Sequence, residues 1–266
     1  MSGRTALVIT VACLSGGSGK TTAALNLAIM LAEHGKTLAV DFDPQGNLSQ
    51  WMGWTDLSES ATIAETILPG ADRVHIREII RPPLNEDRQE RLWLAPSDYS
   101  LSRAMDAIVM EPGRELFLKR ALRPILPEYD FLVIDSPPSK GLLTYNSILS
   151  ADLLVVPTEC TQKGVMGALS TLVLLKELEE LDFHVPKFLG VLPTREQWVG
   201  NNRTKMSRAA VEALAEMMQG IPIFTPVRQS TVVQQTNSMG WSLAEAGEDL
   251  LAQPYREVLK AVLEAR

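Results

Sequence analysis

The sequence predicts an α/β fold: a three-layer, doubly wound, mostly parallel sheet with helices on both faces. Short apolar, β-rich runs alternate with longer stretches of helical periodicity along most of the chain. The strand-like runs are apolar throughout, as strands covered on both faces are. Glycine- and aspartate-bearing loops follow several of them, at the carboxyl edge where such sheets bind ligands.

Ala6 to Cys13 reads as the first strand. A glycine-rich loop leads into a helix from Thr21 to His34, where Leu25, Leu27, Ala28, Leu31 and Ala32 recur at helical spacing and Gly35 closes the element. Thr37 to Asp41, Phe131 to Asp135, Leu153 to Pro157, Phe188 to Leu192 and Pro222 to Thr225 read as further buried strands. Helices are expected over Gly164 to Leu181, Lys205 to Met218 and Tyr255 to Ala265. Gly53 to Leu92, with Pro69, Gly70, Pro82, Pro83 and a charged run from Asn85 to Arg91, is expected to form surface loops and short helices.

With 266 residues, 45% of them apolar, the chain is expected to build one domain over residues 1–266. No apolar stretch approaches the roughly 20 residues of a membrane span, and the N-terminus does not read as a signal peptide, so a cytoplasmic protein is expected. Cys13 and Cys160 are too few and too far apart for a disulfide framework or a thiolate metal site, and are expected to be reduced and buried. A net charge of −7 confines any nucleic-acid contact to a local patch.

The most informative segment is Ser15-Gly16-Gly17-Ser18-Gly19-Lys20-Thr21-Thr22, between the first strand and its helix. The ordinary phosphate-loop pattern G-x-x-x-x-G-K-[ST] fails, because its first glycine would be Leu14. A variant fits: the glycines let backbone N–H groups and the helix N-terminus face phosphate oxygens. Lys20 then neutralises the β- and γ-phosphates of ATP, Thr21 binds Mg²⁺ and Thr22 holds the α-phosphate. Asp135, ending an apolar strand, is placed to hold Mg²⁺ through water.

These residues, with Asp41-Phe42-Asp43-Pro44-Gln45-Gly46-Asn47 and Val133-Ile134-Asp135-Ser136-Pro137-Pro138, resemble the three nucleotide motifs of the deviant Walker ATPases of the ParA/MinD family. Asp-Pro-Gln-Gly-Asn is ParA-like, and the likeness continues through Val155 to Thr158, Pro193-Thr194 and Thr225 to Ser230. The resemblance implies a P-loop nucleotide-binding architecture with Mg²⁺ and ATP as cofactors. It gives Asp43 the orientation of the attacking water, Asp41 a place at the Mg²⁺ shell, and the adenine contacts to Pro193-Thr194 and the loop Pro226 to Gln229, Arg228 included. Ser136 to Ser139 and Pro44 to Asn47 are then the switch segments.

One departure stands out. The family's signature lysine, which reaches across a dimer to the partner's nucleotide, is Ser15 here. Three readings follow: another lysine substitutes, with Lys163 preferred and Lys140 second; the dimer does without it; or the protein binds ATP and barely hydrolyses it. Loss of this lysine with the rest retained is similar to the ParA-type proteins that distribute carboxysomes, the McdA group.

The resemblance implies a homodimer with ATP, nonspecific DNA binding with nucleoid association in that state, and a ParB-like or McdB-like adaptor that stimulates hydrolysis for a carboxysome or plasmid cargo. Between Pro186 and Ser230 six Lys or Arg face three Glu, a local excess that nominates Arg195, Arg203, Lys205, Arg208 and Arg228 as DNA contacts. A MinD-like membrane role is not expected, because the polar side of the last helix is balanced in charge and its apolar stripe reads as core. With five residues ahead of the first strand, an operator-reading N-terminal module is not expected either. The competing class is a P-loop metabolic ATPase, whose turnover would respond to neither DNA nor an adaptor. An iron-sulfur reductase would need cysteine ligands that Cys13 and Cys160 do not obviously provide.

Overall fold

The computed structural model describes residues 5–70, 73–83, 88 and 90–266. In chain order the elements are β1 (Leu7–Val11), α1 (Lys20–Ala32), β2 (Thr37–Asp41), α2 (Asn47–Trp51), α3 (Ile63–Ile67), α4 (Ile76–Ile79), β3 (Leu92–Ala95), α5 (Ser100–Ile108) and α6 (Phe117–Leu122). There follow β4 (Phe131–Asp135), α7 (Leu142–Leu149), β5 (Leu153–Glu159), α8 (Gln162–Glu180), β6 (Lys187–Thr194), β7 (Trp198–Val199), β8 (Asn202–Arg203), α9 (Lys205–Met217), α10 (Thr231–Ser238) and α11 (Asp249–Glu264).

Six strands form one sheet in the order β3-β2-β4-β1-β5-β6, and every pair is parallel. Alternate residues serve opposite faces, as the strand period requires. Ile9, Val11, Ala39 and Val133 face the core under α1 and α11, whereas Val8, Leu38, Val40, Leu132 and Ile134 face the one under α3 and α5. A third cluster joins Leu154, Val156 and Val191 to α8 and α9. Helix α1 is buried nearly all round, which accounts for its near-continuous apolar sequence.

The strands and long helices fall where the residue pattern puts them, with three differences. Pro222 to Thr225 does not form a ladder strand; it makes one parallel bridge, Val191 to Ile223, because prolines at 222 and 226 withhold N–H donors. The edge strand β3 forms where the irregular segment was expected to end, since Leu-Trp-Leu-Ala is too short to show a period. Helix α11 begins six residues before Tyr255 and runs through Pro254, whose missing N–H withholds one i→i−4 hydrogen bond inside the helix. Of the charged run Asn85 to Arg91, residues 85–87 and 89 lie outside the described residues. The short helices α3 and α4 form as expected, and α3 is held by a Thr62 and Glu65 capping box.

The apolar stripe of α11, Leu251, Tyr255, Val258 and Val262, is buried in the core beside α1. No helix among the described residues is long and apolar enough to cross a membrane.

Candidate nucleotide site

The carboxyl ends of β1, β2, β4, β5 and β6 lie along one edge of the sheet, and all the motif residues gather there. The loop after β1 turns through Gly17 (φ 76°) and Gly19 (φ 85°), in the left-handed region that glycine enters without strain. Gly19 sits at the N-cap of α1, so the first N–H groups of that helix are left to a ligand. The loop is bolted to the sheet by Thr194, whose hydroxyl lies 2.9 Å from Ser18 O and 3.2 Å from Thr158 O.

Lys20 is folded into its own loop, donating to Ser15 O at 3.1 Å and lying 3.5 Å from Ser18 Oγ. Burial lowers its amine pKa from the ordinary lysine value, against the pull of Cys13, Asp135 and Asp43. Ser15 is buried too and packs against α8 at Gly167, where an added β-carbon would stand 2.6 Å from Ser15 Cβ.

Asp41 and Asp135 are register partners on adjacent strands and both are fully buried. Asp41 Oδ2 accepts from Ser49 N and Ser49 Oγ, each at 2.8 Å, while Oδ1 accepts from Asp43 N at 3.2 Å. Ser49 Oγ in turn accepts from Ser97 N at 2.9 Å, so Asp41 ties α2 and the loop after β3 to the sheet. Burial pushes its carboxyl pKa up to about 7, those hydrogen bonds notwithstanding. Asp43 Oδ1 accepts from Gln45 N at 3.0 Å.

Asp135 differs: neither of its buried carboxylate oxygens has a partner at full hydrogen-bond geometry, and Thr21 is the hydroxyl near enough to favour its charged form. Burial, and then Asp41, raise its pKa well above the usual carboxylate range, while Thr21 and Lys20 pull it down. An unpaired buried carboxylate costs free energy that a bound cation would recover. Mg²⁺ suits the place, because it uses one or two carboxylates together with phosphates and water rather than an all-protein cage. No cluster of three His, Cys, Asp or Glu placed to hold a metal occurs among the described residues.

Beside the loop opens a cavity of about 640 Å³, lined by Gly19, Thr22, Thr194 and Arg228 among others. Of the expected adenine contacts, Thr194, Val227, Arg228 and Gln229 line it; Pro193 is buried within β6 and Pro226 is half-buried outside the lining. The residue pattern did not single out Trp51, Gln234 or Asn237, which also line it. Asn237 Nδ2 donates to Thr22 Oγ1 at 2.8 Å, and its buried Oδ1 has no partner. Helix α10 is polar and short, so no periodicity marked these side chains.

The expected substitute lysines separate. Lys163 is exposed in the first turn of α8, whereas Lys140 is held by Glu177 at 2.6 Å. Among the nominated DNA contacts, Lys205 and Arg208 stand exposed on the first turns of α9. Arg203 pairs with buried Glu196 at 2.9 Å, and Arg203 and Arg228 lie 5.7 Å and 4.6 Å from the centre of the Trp198 ring. Arg195 turns to the phosphate loop, within 3.9 Å of Glu159 Oε1. Cys13 and Cys160 are buried free thiols.

A glycine loop drawn around a lysine at the mouth of a parallel sheet, with an unpaired aspartate on the next strand, places the chain among the P-loop ATPases. Residues 6–185 match a family described as an AAA domain, and the chain belongs to the ParA/MinD-like members of that family. It is 36% identical over 255 residues to the maintenance of carboxysome distribution protein A of Synechococcus elongatus, covering 96% of this chain and 98% of that one. It is 38% identical over 166 residues to the chromosome-partitioning ATPase Soj of Treponema pallidum, covering 62% of this chain and 61% of that one. A structure of an Asp-to-Ala variant of Cyanothece McdA in complex with ATP superposes with a TM-score of 0.91 at 32% identity, covering 98% of this chain and 97% of that one.

Proposed function

We propose that the chain is an ATP-dependent dimerising switch ATPase. In its ATP state it binds DNA nonspecifically and positions or partitions a cargo, and an adaptor protein releases it by stimulating hydrolysis. The observation that carries the nucleotide chemistry is Asp135, buried and unpaired beside Thr21 and Lys20. The full-length likeness to a carboxysome distribution protein favours a carboxysome as cargo over a plasmid.

Lys20 would turn from Ser15 O to the β- and γ-phosphates, and Thr21 and Asp135 would hold Mg²⁺, which would supply charge neutralisation there. Asp43 orients the attacking water from a loop whose backbone Asp41 pins. Asp41, whose oxygens accept from Ser49 and Asp43 N, would act at the Mg²⁺ shell only through this network. Pro44 to Asn47 and Ser136 to Ser139 flank these carboxylates, where a lost γ-phosphate is felt directly.

Exposed Lys163 supplies the charge in trans that Ser15 lacks. Lys205 and Arg208, doubled by dimerisation, supply phosphate contacts for DNA, with Arg203 and Arg228 at their edge. ATP turnover measured with and without duplex DNA and a candidate ParB-like or McdB-like adaptor tests this reading. Stimulation by DNA or adaptor supports it. Turnover indifferent to both, but dependent on a small carboxylate substrate, identifies a metabolic ATPase instead.

A further inference from the structure

We infer that Arg195 is a phosphate-binding residue acting within its own chain, replacing at the loop part of the charge that Ser15 does not provide. The inference rests on the proposed nucleotide site and adds to it a residue that neither the glycine loop nor the aspartate motifs contain.

Four observations converge. Arg195 Nη1 stands 3.6 Å from where a β-carbon on Gly17 would lie, so the guanidinium overhangs the phosphate loop. Its backbone adopts φ 53°, a left-handed conformation that costs a residue with a β-carbon free energy and persists where surrounding structure enforces it. The enforcement is visible next door, in the hydrogen bonds from Thr194 to Ser18 O and Thr158 O that clamp the end of β6 to the loop. Finally, Arg195 lines the 640 Å³ cavity together with Gly19 and Thr22.

Among the described residues its acidic partner is Glu159, which approaches only to 3.9 Å, with both side chains partly exposed. Such a contact parks a guanidinium without satisfying it, and a polyphosphate would compete well for a planar donor of this kind. The same geometry sets Arg195 apart from Lys205 and Arg208, which stand free on α9.

The test measures affinity for fluorescent ATP, ADP and AMP with Mg²⁺ on the full chain, at concentrations where it is monomeric. Arg195→Ala is expected to weaken ATP and ADP about tenfold, the scale of one charged hydrogen bond, and to leave AMP unchanged. Arg195→Lys should recover part of the loss, and Glu159→Gln should tighten ATP binding. Unfolding of each apo variant should match the wild type, since the side chain is half exposed. Wild-type ATP affinity in Arg195→Ala, with or without a loss of DNA retention, overturns the inference while Lys20→Ala still fails to bind. ATP binding that survives Lys20→Ala overturns the nucleotide site itself.

Discussion

Gly167 exists as a glycine for Ser15: a β-carbon at 167 would lie 2.6 Å from Ser15 Cβ and 3.4 Å from Cys13 Sγ. Helix α8 therefore presses its backbone against the start of the phosphate loop. Gly167→Ala should force the two apart, costing about 1–3 kcal/mol as overpacking does. Urea unfolding reads the stability loss, and ATP affinity should fall with it because the loop is displaced.

Asp135 predicts opposite effects on stability and binding. Burial raises its carboxyl pKa well above the usual range, so Asp135→Asn, which cannot ionise, should stabilise the apo protein by about 1 kcal/mol at neutral pH. The same change should weaken Mg²⁺-dependent ATP binding, measured by titrating Mg²⁺ at fixed nucleotide. A variant both less stable and unaffected in Mg²⁺ response would contradict the role given to this residue.

Ser49 connects two loops through one hydroxyl, donating to Asp41 Oδ2 at 2.8 Å and accepting from Ser97 N at 2.9 Å. Ser49→Ala strands a buried N–H and removes a donor from a buried carboxylate. A loss of about 2 kcal/mol is expected, on the scale of a charged buried hydrogen bond. Chemical denaturation checks it.

Burial pushes the Cys160 thiol up to about 12 and raises Cys13 as well. Both stay protonated in the native protein while a free thiol ionises near 8.5. Iodoacetamide at pH 8.5 should therefore spare both until denaturant is added. The native state also retains the Cys160 proton that the unfolded chain loses, so this thiol makes stability fall as pH rises above about 8.5 toward 12. Cys160→Ala should flatten that fall.

The fold was legible because buried parallel strands such as Phe131 to Asp135 are apolar at every position and end on polar loops. The phosphate loop was legible because its glycines, Lys20 and Thr21 are contiguous. The cavity beside the loop was not, since Trp51, Gln234 and Asn237 come from two distant short helices and meet only in three dimensions. Arg195 was legible only as a charge; sequence gave it to a DNA surface, and its nearness to Gly17 depends on the backbone turn after Thr194. Strand β3 was hidden by its four-residue length.

The central claim is that ATP, and not ADP, assembles two copies of this chain, with Asp43 responsible for ending that state. The direct measurement is the mass of the Asp43→Ala protein in solution with Mg-ATP and with Mg-ADP, by sedimentation velocity. The account predicts a stable dimer with ATP, a monomer with ADP, and loss of the ATP dimer in Asp43→Ala/Lys163→Ala. An Asp43→Ala protein that remains monomeric with saturating ATP, or that turns ATP over at the wild-type rate, would contradict it.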